Sequence, residues 1–456
     1  MTTDFMRLGI RRYVPSALMV SAFGPLLLPS IGIGTEQVLM YALLPVAIGL
    51  LCIGGRSLLF YAPVLFLLFI FVFIILWTTV VTSGGVLSHV TPTTRTLSEE
   101  ISSFESYFQT IVMILILGAL LKGYSSQNAQ SLLDKAAKIL IIFMSINALI
   151  ALASVFFNTA PITGYFVREE IVTGGIPLQV DSGTGRFSGI FEFPATAGHA
   201  YSLALIMWTF LVRKEKQISF VSLLMAGLII VGGIVSVSKT FLFGGFPIFF
   251  IYWLIPGRVS PRISLKILAI IVAAIGTIAI FIESWIGTRL IIDLFSSGGK
   301  YTPVTLFFHF ISIRYGIGDD LSVGGIFAYV WEMAPIQGLG FSYLGIADSA
   351  YLQFFMQGGL VSVLLYFGFI ATIIYLGASE WYRGKEMGRL LTILGIFVFL
   401  AGVGSPVITT ARISVIFWVI LMLVFAVRAA QRAERTGQDK IIPNAKSKES
   451  TAILEG

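Results

Sequence analysis

Apolar runs of roughly 18 residues or more recur along nearly the whole chain, and each is long enough to cross a bilayer as a helix. Inside hydrocarbon the backbone N–H and C=O groups must pair among themselves, so a spanning segment is either a helix or part of a closed barrel. Barrel strands alternate apolar and polar residues. Stretches such as 65–81 are apolar without alternation, which leaves an all-α polytopic membrane protein. Composition agrees: 57% of the residues are hydrophobic and 12% are charged, against about 25% charged in a soluble domain.

Charge then sets the expected sidedness. Lys and Arg are depleted from translocated loops, and with the N-terminus inside, most of the thirty basic residues fall in loops on one side. The exceptions are Arg95, Arg168, Arg186, Lys239, Arg289, Lys300, Arg314 and Arg412. The inner loops are then net basic and the long outer ones net acidic, so the net charge of +7 reflects topology and anionic lipid, and nucleic acid is not an expected partner. The pattern predicts about twelve spans. The first covers 14–33 and the tenth 351–376, with outer loops at about 82–103, 158–193 and 284–347. The basic N-terminus is expected to lead into an uncleaved first helix, since the apolar stretch is too long for a signal peptide and more spans follow. Residues 1–428 form the transmembrane domain, and the charged 429–456 are expected to be a disordered cytoplasmic tail. Within the largest loop, 306–313 and 325–334 are apolar and aromatic, the pattern of short helices lying at the membrane interface.

The chemistry-bearing residues are few. Cys52 stands alone, so no intrachain disulfide forms. His89, His199 and His309 are far apart and show no ligand spacing, and there is no phosphate-binding glycine loop or nucleophile elbow. No metal site and no cofactor are expected. The outer segments are richer. Arg186 lies in Gly-Arg-Phe-Ser-Gly-Ile-Phe-Glu-Phe-Pro at 185–194. Its guanidinium fork suits phosphate, although an Arg at this level also serves as a lipid-headgroup anchor. Lys239, in Ser-Val-Ser-Lys-Thr at 236–240, stands at a helix start, where the dipole favours anions. It therefore faces either an acid, as a structural bridge, or an anionic ligand. The third stretch runs from Arg314 through Gly325, Trp331 and Gly338-Leu339-Gly340 to Asp348-Ser349-Ala350-Tyr351-Leu352 and Gly358-Gly359. Asp348 is either a helix N-cap or a carboxylate placed to take a proton.

The order of these motifs resembles the O-antigen polymerase and O-antigen ligase superfamily, over roughly 185–359. Arg314 and Gly325 match an Arg-x10-Gly spacing described in the polymerases; at Arg186 the candidate Gly198 comes one position late. Lys239 stands where the family usually has Arg, and Asp348 where the ligases usually have His, a departure that favours a Wzy-type polymerase. The resemblance implies a glycosyltransferase of the GT-C type, independent of metal, in the bacterial inner membrane with its active site facing the periplasm. It would polymerise undecaprenyl-pyrophosphate-linked repeat units into O-antigen or exopolysaccharide by inverting-type transfer. Arg186 and Arg314 would hold the donor pyrophosphate, with Asp348 as the third catalytic candidate. Lys239, Arg289, Trp331, Tyr351 and His199 are the candidate substrate-binding residues. The partners implied are lipid-linked donor and acceptor, membrane lipid and a chain-length regulator protein. Alternatives are an O-antigen ligase acting on a lipid A-core acceptor, a polysaccharide or lipid transporter or flippase, and a non-catalytic scaffold.

Overall fold

The apolar runs are helices in the computed structural model, which describes residues 2–28, 33–53, 62–83, 97–167, 187–215, 218–236, 238–254, 323–341 and 349–452. Helix α1 (Thr2–Ser21) leads into a short antiparallel pair, β1 (Leu26–Leu28) and β2 (Ile33–Gly34). Then come α2 (Thr35–Ile53), α3 (Ala62–Ser83), α4 (Leu97–Leu120), α5 (Ser126–Phe156), α6 (Pro194–Glu215) and α7 (Phe220–Val235). A π-helical turn, Thr240–Gly245, runs into α8 (Phe246–Leu254). The chain continues with α9 (Val323–Met333), α10 (Ala350–Trp381), α11 (Glu386–Ala401) and α12 (Ile413–Ala452). Among the described residues, seven helices are long and apolar enough to cross a membrane: α2, α3, α4, α5, α6, α10 and α12. Helix α7 and the run Thr240–Trp253 are apolar but shorter. The chain is a multi-pass helical membrane protein. The expected ninth span and most of the 284–347 loop lie outside the described residues.

Burial sorts the helices into centre and periphery. The spans of α6 and α12 are 94% and 89% buried, so these two form the middle of the bundle. Helix α5 packs on α12, α7, α6 and α1, while α3 joins α4 to α10, and α11 lies along α10. The span of α2 is only 22% buried, which leaves most of its apolar surface for lipid.

The first span departs from expectation. Helix α1 ends at Ser21, and Leu26–Leu28 and Ile33–Gly34 pair as strands in place of further helix. Pro25 has no N–H for the helical ladder and excludes Gly24 from helical geometry. Its carbonyl instead accepts from the Thr35 hydroxyl at 2.6 Å. At the other terminus α12 runs past Arg428 into the segment expected to be unstructured. Residues there are tied down: the Glu434 carboxylate accepts from the Ser126 N–H (3.0 Å) and hydroxyl (2.7 Å), and Arg432 pairs with Glu380 at 3.7 Å.

Buried charges collect at the two ends of the bundle. Arg412 precedes α12 and Arg428 lies on it, a separation of about 24 Å at 1.5 Å per residue. The Arg428 end is dense in ion pairs: Glu380 faces Arg428 (3.0 Å), Arg432 (3.7 Å) and Lys385 (3.8 Å), and Glu386 faces Arg213 (2.9 Å) and Arg389 (3.1 Å). The Arg412 end is where the sequence motifs meet.

Candidate functional site

A helix leaves its last C=O and first N–H groups without internal partners, and α11 and α10 resolve this against each other. The Gly402 carbonyl, at the end of α11, accepts from the Ala350 N–H (2.8 Å) and the Ser349 hydroxyl (3.2 Å) at the start of α10. The Tyr351 hydroxyl donates to the Phe399 carbonyl, and its ring stacks on Phe367 at 5.3 Å. The residue immediately before α10 is Ser349. The cap position suggested for Asp348 therefore belongs to its neighbour, whose hydroxyl bonds Gly402 without capping.

The same turn receives two other motifs. His199, wholly buried in the first turns of α6, meets Phe397 edge to face at 6.1 Å and lies among the backbones of Ala195, Ala401 and Ser405. Neither ring nitrogen reaches hydrogen-bonding geometry there. A side chain at Gly404 would meet Thr240 Oγ1 at 2.7 Å, and one at Gly198 would overlap Ser238 Oγ at 1.9 Å. Residues 238–240 are thus wedged between α6 and the 402–405 turn. Ser238 and Thr240 are buried, whereas the Lys239 side chain is exposed. The π-helical turn that follows, closed by the Phe246 N–H on the Phe241 carbonyl, is a distortion often found at functional sites.

The 187–194 stretch completes the cluster. Phe187, which follows Arg186 in the chain, donates its N–H to the Val235 carbonyl (3.2 Å) at the end of α7. Asn147 of α5 clamps the next turn. Its Oδ1 accepts from Ile190 N–H (2.8 Å), and its Nδ2 donates to the Tyr201 hydroxyl (2.9 Å) and the Ser188 carbonyl (3.3 Å). Gly189 has φ +65°, and a Cβ there would lie 2.1 Å from Asn147 Oδ1, so only glycine fits. The Ile190 carbonyl in turn accepts from Arg412 Nη1 at 3.0 Å.

Arg412 is the residue that sequence reasoning passed over. In the sequence it is marked only as one of the outward cations. It is 6% exposed, has φ 37°, lies 5.8 Å over the Phe166 ring and faces the 2%-exposed Glu36 at 3.8 Å. Burial holds its pKa below the ordinary guanidinium value, an effect that the carboxylates of Glu36 and Glu192 only partly offset. A fixed cation is thus held within the cluster by two acids from different stretches of chain. A non-glycine residue at positive φ is strained; here the buried pair and the Ile190 bond hold it.

Beside Tyr351, α9 presents an aromatic platform. Trp331, 51% exposed, stacks on Phe327 at 5.8 Å, and Phe327 stacks on Phe355 of α10 at 5.0 Å. Below it α10 is broken at Gly358 (φ −133°, ψ 17°) and Gly359 (φ 61°, ψ −159°), about 12 Å along the helix. The 334–341 segment fills the break with its own backbone. The Met356 and Gln357 carbonyls accept from Leu339 N–H (2.6 Å) and Gly340 N–H (3.0 Å). The Leu360 and Val361 N–H groups donate to the Pro335 (2.9 Å) and Ile336 (3.4 Å) carbonyls. Trp77 Nε1 donates to the Gly358 carbonyl at 3.0 Å. The Gly338-Leu339-Gly340 and Gly358-Gly359 motifs are therefore two halves of one joint.

Of the residues expected at the site, Lys239, Tyr351 and His199 gather at the 402–405 turn, and Trp331 lies one helical turn along α10 from it. Arg186, Arg289, Arg314 and Asp348 lie outside the described residues, as does 306–313; the helix expected at 325–334 is α9. Compared with known protein families and with curated proteins, the chain matches none.

Proposed function

We propose that this multi-pass protein is a polysaccharide polymerase that joins undecaprenyl-pyrophosphate-linked repeat units at the outer face of the bacterial inner membrane. One observation carries the reading: motif stretches around 187–194, 236–240 and 349–351, far apart in sequence, converge on the single turn at 402–412. In the reaction, an acceptor sugar hydroxyl attacks the anomeric carbon of the donor glycan from the side opposite the pyrophosphate. The carbon–oxygen bond to undecaprenyl pyrophosphate breaks, and the hydroxyl proton passes to a base. Asp348, next to the pinned Ser349, is assigned the proton. Arg186 and Arg314 are assigned the leaving pyrophosphate, because fixed cations aimed at developing charge supply the largest catalytic term. Lys239 and Arg289 add positive field, and Trp331 and Tyr351 offer aromatic faces to sugar or polyprenyl. His199, wholly buried against the turn, positions it. About twelve spans with both ends inside would place all of these on one face.

A transporter is the second reading, because a helix broken within the membrane is a recurrent transporter feature. In α10, however, the freed backbone groups are occupied by 334–341 and Trp77, so they do not face a pathway.

Sidedness is testable by labelling. In a Cys52→Ser background, which removes the exposed native thiol, cysteines at Gly183 and Ser297 should react with an impermeant thiol reagent added outside. One at the exposed Arg383 should react only after permeabilisation. Labelling of Ser297→Cys only from the cytoplasmic side would remove the periplasmic active site, and with it the polymerase.

A further inference from the structure

At the Arg428 end of the bundle, far from the 402–412 turn, a cavity of about 670 Å³ opens between α5, α6, the start of α11 and α12. Five cations line it: Arg213, Lys214, Lys385, Arg389 and Arg435. Its two acids are already engaged. Glu386 Oε1 accepts from Arg213 Nε (2.9 Å) and the Tyr252 hydroxyl (3.0 Å), its Oε2 pairs with Arg389 Nη1 (3.1 Å), and Glu434 spends both oxygens on Ser126. The neighbouring Glu380 is shared by Lys385, Arg428 and Arg432. Lys214 pairs with Asp134. Counted together with Arg428 and Arg432, the seven cations here face four carboxylates, Asp134, Glu380, Glu386 and Glu434, an excess of three positive charges among the described residues. Arg389 Nε is buried with no hydrogen-bond partner among the described residues. Partial burial, together with the charges of Arg435, Arg383 and Arg432, pushes the Lys385 ammonium below its ordinary pKa.

We infer that this cavity binds the phosphate group of an anionic ligand, either an anionic phospholipid headgroup or a free phosphate-bearing solute. Its volume is that of a small-molecule site, and Arg389 and Arg435 supply planar forks that match phosphate oxygens. Lys385 adds a point charge from the α10–α11 connection. The binding is independent of the chemistry proposed at the other end.

The test uses purified full-length protein in nanodiscs of phosphatidylcholine. One arm adds increasing phosphatidylglycerol to the bilayer, and the other adds inorganic phosphate at constant ionic strength. A ligand that binds only the folded protein raises the unfolding midpoint with its concentration, which yields an apparent affinity. Wild type should be stabilised in at least one arm. Arg435→Gln, at an exposed position, and Arg389→Gln should each weaken that affinity roughly 10- to 100-fold, the value of a charge-assisted hydrogen bond. Lys138→Gln should leave it unchanged, since Lys138 pairs with Glu215 outside the cavity (3.4 Å). Stabilisation in the phosphatidylglycerol arm alone identifies a headgroup, and stabilisation by phosphate identifies a solute. Should Arg389→Gln fail to fold, Arg435→Gln decides. No stabilisation in either arm, or equal weakening in Lys138→Gln, overturns the site.

Discussion

An Asp348→Asn variant is expected to insert, fold and bind the lipid-linked donor, and to polymerise roughly 10²–10⁴-fold more slowly, the usual loss when a general base is removed. Asn keeps the shape and hydrogen-bonding capacity of Asp but takes no proton near neutral pH. It also caps a helix about as well as Asp does, and the residue immediately before α10 is Ser349 in any case. A fall in rate at an unchanged unfolding midpoint therefore separates chemistry from folding. The readout is polymer length on a gel against time, beside thermal unfolding of the same preparation. Near-normal polymer from the variant would leave orientation of the acceptor by the arginines as the main catalytic term, and Asp348 would have no part in proton transfer.

Gly359→Ala is expected to produce the largest loss of stability in the described structure. With φ 61° and ψ −159°, Gly359 occupies a region of backbone space that is nearly exclusive to glycine, so a side chain there costs about 1–3 kcal/mol in strain. Its Cβ would also lie 2.2 Å from the Ile336 carbonyl oxygen and 2.6 Å from the Gly338 nitrogen. Both are backbone atoms that move only if the joint opens, which adds about 1–3 kcal/mol of overpacking. Together these give roughly 2–6 kcal/mol, a large share of the stability of a typical domain. Gly368→Ala on the same helix meets nothing within 4 Å and should be close to neutral. Thermal unfolding of both variants reads the difference. Equal midpoints would mean that α10 runs unbroken and that 334–341 does not dock into it.

The parts of this fold legible in sequence are those set by local composition. Apolar length and flanking charge mark the tenth span, expected at 351–376 and found as α10 (Ala350–Trp381), because a spanning segment must satisfy its own backbone as a helix. The first span fails where one proline outweighs an apolar run: hydropathy continues through Pro25, but the helical ladder does not. The break in α10 is signalled only by the Gly358-Gly359 pair, since the residues around it read as ordinary span. That Gly338-Leu339-Gly340 fills the break is a contact between distant stretches, for which one sequence carries no mark. The site divides in the same way. Lys239, Tyr351 and Trp331 are candidates that residue type beside a helix end picks out. The hub that gathers the motifs, Gly402 to Arg412, is a short turn of small residues with one buried cation. Its weight lies in the carbonyls of Phe399 and Gly402 and in the Arg412–Glu36 pair, and backbone carbonyls are the same at every position of a sequence. The outward position of Arg412 was the one available signal, and it gained meaning only once Ile190 and Glu36 were found against it.

Polymerase activity is read out by reconstituting the purified full-length protein in liposomes with undecaprenyl-pyrophosphate-linked repeat units from its native host. No nucleotide or other energy source is supplied. A polymerase will convert the repeat units into a ladder of longer lipid-linked glycans, with one undecaprenyl pyrophosphate released for each linkage formed. The Arg186→Lys and Arg314→Lys proteins will fold yet make little polymer, because Lys keeps the charge and loses the bidentate fork. Repeat units that stay unjoined while crossing the bilayer, with no undecaprenyl pyrophosphate released, would contradict the polymerase and make this chain a transporter.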